Sequence, residues 1–197
     1  MLEAFSNLIK KYRFFILIIT FIFVYLNSKK TFAFSPGLSF SYGNGKPDHL
    51  REYRIALQSF WPFIGFPQSP IRLSGYWDLS LANGRITPTQ THQPSVIRIL
   101  AVSPVIRIQT REKYFLASQP YLEFGIGASL LSNNHLGHRN LGGQFAFQDF
   151  LGLGLRWRAT HIWSLSYHYL HYSNAGILPP NQGIDVKHVV SLGYEFN

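Results

Sequence analysis

His171 and Ser173 stand two residues apart near the C-terminal end of the chain, and Asp185 follows twelve residues after Ser173. Alternate side chains of an extended strand share a face, so the imidazole and the hydroxyl point the same way. Residues 175–183 (AGILPPNQG) hold glycine, asparagine and a proline pair, turn formers that fold the next strand back antiparallel and bring Asp185 alongside. A hydroxyl, an imidazole and a carboxylate at one end of a hairpin can activate serine for acyl transfer. The base removes the hydroxyl proton, and the carboxylate holds the base. The same His-x-Ser pair also occurs in polar barrel walls that do no chemistry, so the elements around it decide between the two readings.

Those elements are set by composition first. The 197 residues are one domain's worth; 46% are hydrophobic and 16% aromatic, with 11 Tyr and 17 Phe, while only 14% are charged. Soluble domains carry about 25% charged residues. A chain this aromatic and poor in charge, with one long apolar run at its N-terminus, fits a membrane β-barrel. It contains no cysteine, which excludes disulfides, thiolate metal sites and a cysteine nucleophile. The formal net charge is +9, of which Lys10, Lys11, Arg13, Lys29 and Lys30 against Glu3 place +4 in residues 1–33. The remaining arginines are scattered singly. That argues against nucleic acid, which wants a clustered basic face, and suits contact with an anionic membrane surface or a phosphorylated lipid headgroup.

Residues 10–33 read KKYRFFILIITFIFVYLNSKKTFA: a basic start, thirteen uncharged and mostly apolar residues, then a polar stretch ending at Ala33. Thirteen is short for a transmembrane helix, which needs about 20, and the order of regions is that of a cleavable secretory signal. Residues 1–33 are therefore expected to be a signal peptide, with residues 34–197 exported.

Across the exported part, runs alternating with period two recur at 38–43, 51–61, 71–81, 95–110, 121–131, 144–158, 161–174 and 184–196, separated by turn signals such as Asn83-Gly84. An even number of such strands after a signal peptide is the pattern of an outer-membrane barrel. Closure is required because an open sheet edge has no partner in lipid. The expected fold is all-β, an eight-stranded antiparallel transmembrane β-barrel whose interior is filled by side chains, too narrow for a pore. Pro104 is expected to mark a bulge or kink in the fourth strand. A soluble lipocalin-like barrel has the same strand number with its apolar face turned inward, and sequence does not separate the two.

In the seventh strand Trp163, Leu165, Tyr167, Tyr169, His171 and Ser173 share the more apolar parity. That face should meet lipid, and it carries the candidate nucleophile to the external rim if both termini lie in the periplasm. An ionisable residue facing lipid is a functional hypothesis by default. In the eighth strand the apolar parity is Ile184, Val186, Val190, Leu192, Tyr194 and Phe196, which assigns Asp185 to the polar side. Either a bulge near the turn shifts the register or Asp185 reaches across the rim.

The run HYSNAGILPPNQGID resembles the signature of the PagL family, the outer-membrane lipid A 3-O-deacylases. So do PYLEFGIGASLLS (120–132) and FQDFLGLGLR (147–156). The resemblance covers most of the exported chain. It implies hydrolysis of the ester-linked 3-hydroxyacyl chain at position 3 of lipid A in lipopolysaccharide, in the bacterial outer membrane, with no metal or organic cofactor. It puts the nucleophile on Ser173, the general base on His171 and the acid on Asp185, where better-studied relatives have Glu. The oxyanion region falls on Asn174, Ala175 and Gly176, and Asn181 on a loop asparagine that orders them. A homodimer is compatible with the sequence without being specified by it.

Other residues have plainer readings. His135 and His138 lie in a polar loop without a nearby carboxylate and read as solvated rather than as a metal site. His168 and His188 read as hydrogen-bonded residues of the barrel wall or interior. Glu123 and Asp149 read as interior ion-pair partners of Arg156 or Arg158. Two other functions compete with the esterase: a structural or adhesive small barrel, and an acyltransferase with an interior acyl pocket and its catalytic set on the inward face or in loops.

Overall fold

The computed structural model describes residues 35–47, 49–64, 69–87, 94–112 and 117–196, and the stretch read as a signal peptide lies outside the described residues. Among the described residues ten strands follow in chain order: β1 (Ser35–Lys46), β2 (Leu50–Ile64), β3 (Ile71–Arg85), β4 (Val96–Thr110), β5 (Gln119–Leu131), β6 (His135–Leu136), β7 (Arg139–Asn140), β8 (Phe145–Arg158), β9 (Ile162–Ser173) and β10 (Ile184–Glu195). The eight long ones pair antiparallel into a closed barrel, sealed by β1 against β10. The two-residue strands β6 and β7 form a separate hairpin within the β5–β8 connection.

Alternation decides which face is which. Leu57, Leu81, Leu122, Leu151 and Leu153 are each more than half exposed on the outer wall, while Ser41, Asp78, Ser103, Arg107 and Glu123 are buried inside. An apolar belt of that size is a liability in water and the normal condition in lipid. The soluble-barrel alternative is thereby excluded. Closure leaves no unpaired strand edge for the hydrocarbon region to accommodate.

The interior is filled in two layers. Toward the termini it is polar: Arg107 Nη2 lies 2.9 Å from Glu123 Oε2, His168 Nε2 lies 2.6 Å from Glu123 Oε1, and Arg156 makes a two-pronged contact with Glu195 at 2.8 and 2.7 Å. The Arg107 guanidinium also sits over the Tyr121 ring, 4.1 Å from its centroid. Toward the other end the filling is apolar, with Leu50, Ile97, Ile99, Leu136, Tyr172, Ile184 and Val186 in one buried cluster. An interior cavity of about 20 Å³ among the polar residues has room for about one water.

Two register features bear on the sequence reading: the expected Pro104 bulge is absent, and of the two alternatives for Asp185 the bulge near the last turn holds. Pro104 produces no bulge against β3, where pairing runs without a shift from Ile71↔Thr110 to Arg85↔Val96. The missing N–H is felt on the other side: the β4–β5 ladder skips from Val102↔Ala128 to Val105↔Gly125 and keeps its register. The second feature is a bulge in β10. Val186 pairs with Leu170 but Val189 with His168, so Lys187 and His188 together face Tyr169. On the β1 side His188 pairs with Asn44 and Val186 with Gly45, leaving Lys187 as the extra residue.

Candidate active site on the lipid-facing wall

His171 and Ser173 close β9 at the end of the barrel opposite both termini of the described barrel. Both are half-buried and point outward, because Leu170, Tyr172 and Asn174 between and beside them are buried inside. Asp185 stands directly across the ladder from His171, with Oδ1 2.7 Å from His171 Nδ1. The Tyr169 hydroxyl donates to the same carboxylate oxygen at 2.5 Å. A carboxylate at Nδ1 assigns the proton to that nitrogen and leaves Nε2 as the basic one. The Ser173 hydroxyl makes no hydrogen bond among the described residues. Catalytic contacts of free enzymes are commonly long and tighten when substrate arrives.

The Lys187 bulge explains how Asp185 comes to face outward. Before the bulge Ile184 and Val186 point inward and are fully buried; after it Val189 and Ser191 point inward, while Val190 and Leu192 turn out. One inserted residue swaps the faces of everything before it. Ile184 and Val186 are apolar because they belong to the apolar interior layer. Their parity therefore continues that of the lipid-facing residues farther along only in the sequence.

The β9–β10 connection is tied down by Asn174. Its Nδ2 donates to Leu141 O at 2.8 Å and to Leu178 O at 2.6 Å, and its Oδ1 accepts from Gly176 N at 2.9 Å. Its own backbone N–H donates to Asn181 Oδ1 at 3.1 Å. Of the three expected oxyanion positions, Asn174 and Gly176 thus have their N–H groups committed, and the Ala175 N–H has no acceptor among the described residues. Ala175 and Gly176 are both in the left-handed region, at φ 55° and 76°, which turns successive amides toward one side.

The other end of the connection is Gly183, at φ 52°. A Cβ there would lie 3.0 Å from His171 Cε1 and 3.1 Å from Tyr172 O, so glycine packs its backbone on the imidazole edge. The β6–β7 hairpin reaches the same point: Arg139 Nη1 donates to Gln182 O at 2.6 Å and to Gly183 O at 2.8 Å.

Asp149 sits elsewhere than its sequence reading, Glu123 keeps its interior place with other partners, and His188 is a hydrogen-bonded wall residue as read. Asp149 is not an interior partner of Arg156 or Arg158. It is half-buried on the outer wall and pairs across the ladder with His171, on the side opposite Asp185. Glu123 is interior, but its partners are Arg107 and His168, and Arg156 is taken by Glu195. His188 lies in the outward bulge, hydrogen-bonded to Tyr167, and His135 Nδ1 bonds Asn134 Oδ1 at 2.9 Å.

Against known proteins, the family model described as lipid A 3-O-deacylase (PagL) matches residues 51–195. The chain belongs to the PagL family. The lipid A deacylase PagL of Pseudomonas aeruginosa is 31% identical over 135 residues, 68% of this chain and 72% of that protein. The lipid A deacylase PagL of Bordetella bronchiseptica is 31% identical over 170 residues, 81% of this chain and 82% of that one. Among solved structures, the crystal structure of the outer membrane enzyme PagL superposes with a TM-score of 0.65 at 28% identity, covering 82% of this chain and 99% of the other.

At this candidate site, sequence reading missed Tyr169, Asp149, Arg139 and Gly183. Tyr169 and Asp149 each carried a signal. Tyr169 shares the parity of His171, and Asp149 in FQDFLGLGLR alternates with Phe147 and Leu151, so it faces lipid if they do. Arg139 carried none, since its contact joins residues 43 and 44 positions apart.

Proposed function

We propose that Ser173, His171 and Asp185 are the catalytic triad of a lipid A 3-O-deacylase. The chain is an ester hydrolase of the bacterial outer membrane, and its lipid substrate reaches it from the side, through the leaflet. The observation that carries the triad reading is the outward-facing His171–Asp185 pair at 2.7 Å, beside an outward serine two residues farther along β9. Ionisable groups on a lipid-facing wall are costly unless something there requires them.

In this reading His171 Nε2 takes the Ser173 proton as Oγ attacks the carbonyl carbon of the 3-hydroxyacyl ester. Asp185 and the Nδ1–H contact hold the ring and stabilise the imidazolium. The Ala175 N–H is the backbone donor free to receive the oxyanion, while Asn174 and Asn181 hold the turn that presents it. The tetrahedral intermediate expels the sugar oxygen, which collects the proton from His171. Water, deprotonated by the same nitrogen, then releases a 3-hydroxy fatty acid and restores Ser173.

Mass spectrometry of lipid A from cells producing the protein or its variants tests this. The wild type should remove one 3-hydroxyacyl group, and Ser173→Ala should remove none. Asp185→Asn should lower turnover by about 10² to 10⁴-fold, and Asp185→Glu by no more than about tenfold. A gained acyl chain would indicate a transferase. Unchanged lipid A beside abundant folded barrel would indicate a structural protein.

A further inference from the structure

We propose that Arg139 is a positioning residue for the reaction, fixing the Gly183 carbonyl so that Gly183 holds the His171 ring toward Ser173. The proposal rests on the reading of His171 as the base. Its geometry is a chain of short contacts. Arg139 Nη1 bonds both carbonyls that precede Ile184, at 2.6 and 2.8 Å. Gly183 in turn lies against His171 so closely that even a methyl group would come within 3.0 Å of Cε1. Ile184, fully buried, and Asp185 follow at once. One guanidinium thus fixes the backbone between the imidazole's packing surface and its carboxylate partner.

The support from which Arg139 acts is firm. Leu136 and Leu141, on either side of it in the hairpin segment, are buried in the apolar interior layer. Leu141 N donates to Asn134 O at 2.8 Å and Gly137 N to Pro94 O at 2.8 Å. Simple attachment of the loop does not need Arg139. Asn140 N already donates to Gln182 Oε1 at 2.7 Å, Gln182 N to Asn140 O at 3.3 Å, and Asn174 Nδ2 to Leu141 O and Leu178 O. None of these reaches Gly183. Arg139 is the side chain bonded to that carbonyl, and glycine at φ 52° has a peptide that rotates readily once released.

The test uses the barrel purified in detergent, comparing wild type, Ser173→Ala, Arg139→Ala and Arg139→Lys. Lipid A turnover is followed together with the rate at which a short-chain alkyl fluorophosphonate labels Ser173. Labelling reports the Ser173–His171 alignment without requiring the sugar headgroup. Arg139→Ala should lower kcat and labelling rate together by about 10- to 100-fold, the scale of an ångström-sized misplacement, with KM within about twofold and the heat-dependent gel mobility of a folded barrel retained. Arg139→Lys should recover part of both rates, since its ammonium can also donate to the two carbonyls but its shorter side chain does not reach as far as Nη1. A raised KM with kcat and labelling unchanged would make Arg139 a headgroup contact and overturn the proposal, as would wild-type behaviour of both variants. If Arg139→Ala fails to fold, Arg139→Lys alone decides: unchanged labelling overturns the proposal, and a partial loss at wild-type KM supports it. Failure of the triad reading is seen separately, as labelling that persists in Ser173→Ala.

Discussion

Asp185 Oδ1 meets His171 Nδ1 at 2.7 Å because β10 carries one residue more than its neighbours between Val186 and Val189. Without Lys187 the strand would alternate evenly, and the part of β10 fixed by Val189, Ser191 and Gly193 would set the parity of the rest. Deleting Lys187 should therefore turn Asp185 inward and Ile184 and Val186 outward. The expected result is activity as low as that of Asp185→Asn in a barrel that still shows folded gel mobility. Wild-type turnover in the deletion variant would refute this account of the bulge.

Tyr169 donates its hydroxyl to the oxygen that also receives the His171 proton. A hydrogen bond to a charged group contributes about 1.5–3 kcal/mol when shielded, and less at a residue 43% exposed. Tyr169→Phe should lower kcat by about 3- to 10-fold and leave KM unchanged in steady-state assays with dispersed lipid A.

Asp149 faces His171 from β8 without a hydrogen bond to the ring. It contributes only through-space attraction to the imidazolium, so its loss should matter less than that of Asp185. Asp149→Asn is expected to reduce turnover by about 2- to 5-fold. A loss as large as that in Asp185→Asn would mean the two carboxylates have exchanged roles.

Gly183 and Gly176 separate strain from crowding. Both have positive φ, but a Cβ at Gly176 meets nothing within 4 Å, whereas one at Gly183 strikes His171 and the Tyr172 carbonyl. Each alanine variant bears a left-handed backbone cost of about 1–2 kcal/mol. Gly183→Ala should in addition lose about 10- to 100-fold in kcat, a difference that parallel kinetics on the two variants would expose.

Arg107 is the hub of the interior, bonded to Glu123, 3.8 Å from Glu195 and stacked on Tyr121. Removing one partner of a buried ion pair leaves the other uncompensated, at a cost of about 3–5 kcal/mol. Arg107→Ala should lower the urea midpoint of the folded barrel accordingly. Double replacement by apolar residues at 107 and 123 should recover much of the loss.

The barrel was legible in the sequence because its cause is local. Period-two alternation within each strand states which residues meet lipid, and a turn such as Asn83-Gly84 states where the chain reverses. The residue types of the candidate site, His171, Ser173 and Asp185, were legible for the same reason, together with the outward direction of the first two. The facing of Asp185 was not. Ile184 and Val186 are apolar because the interior near the site is apolar, so the run 184–196 reads as one unbroken pattern and hides the inserted residue. The outward turn of Asp149, the partners of Glu123 and the grip of Arg139 on Gly183 likewise depend on which strands and loops become neighbours. A linear pattern records the face on which a side chain lies; closure of the barrel determines what lies opposite it.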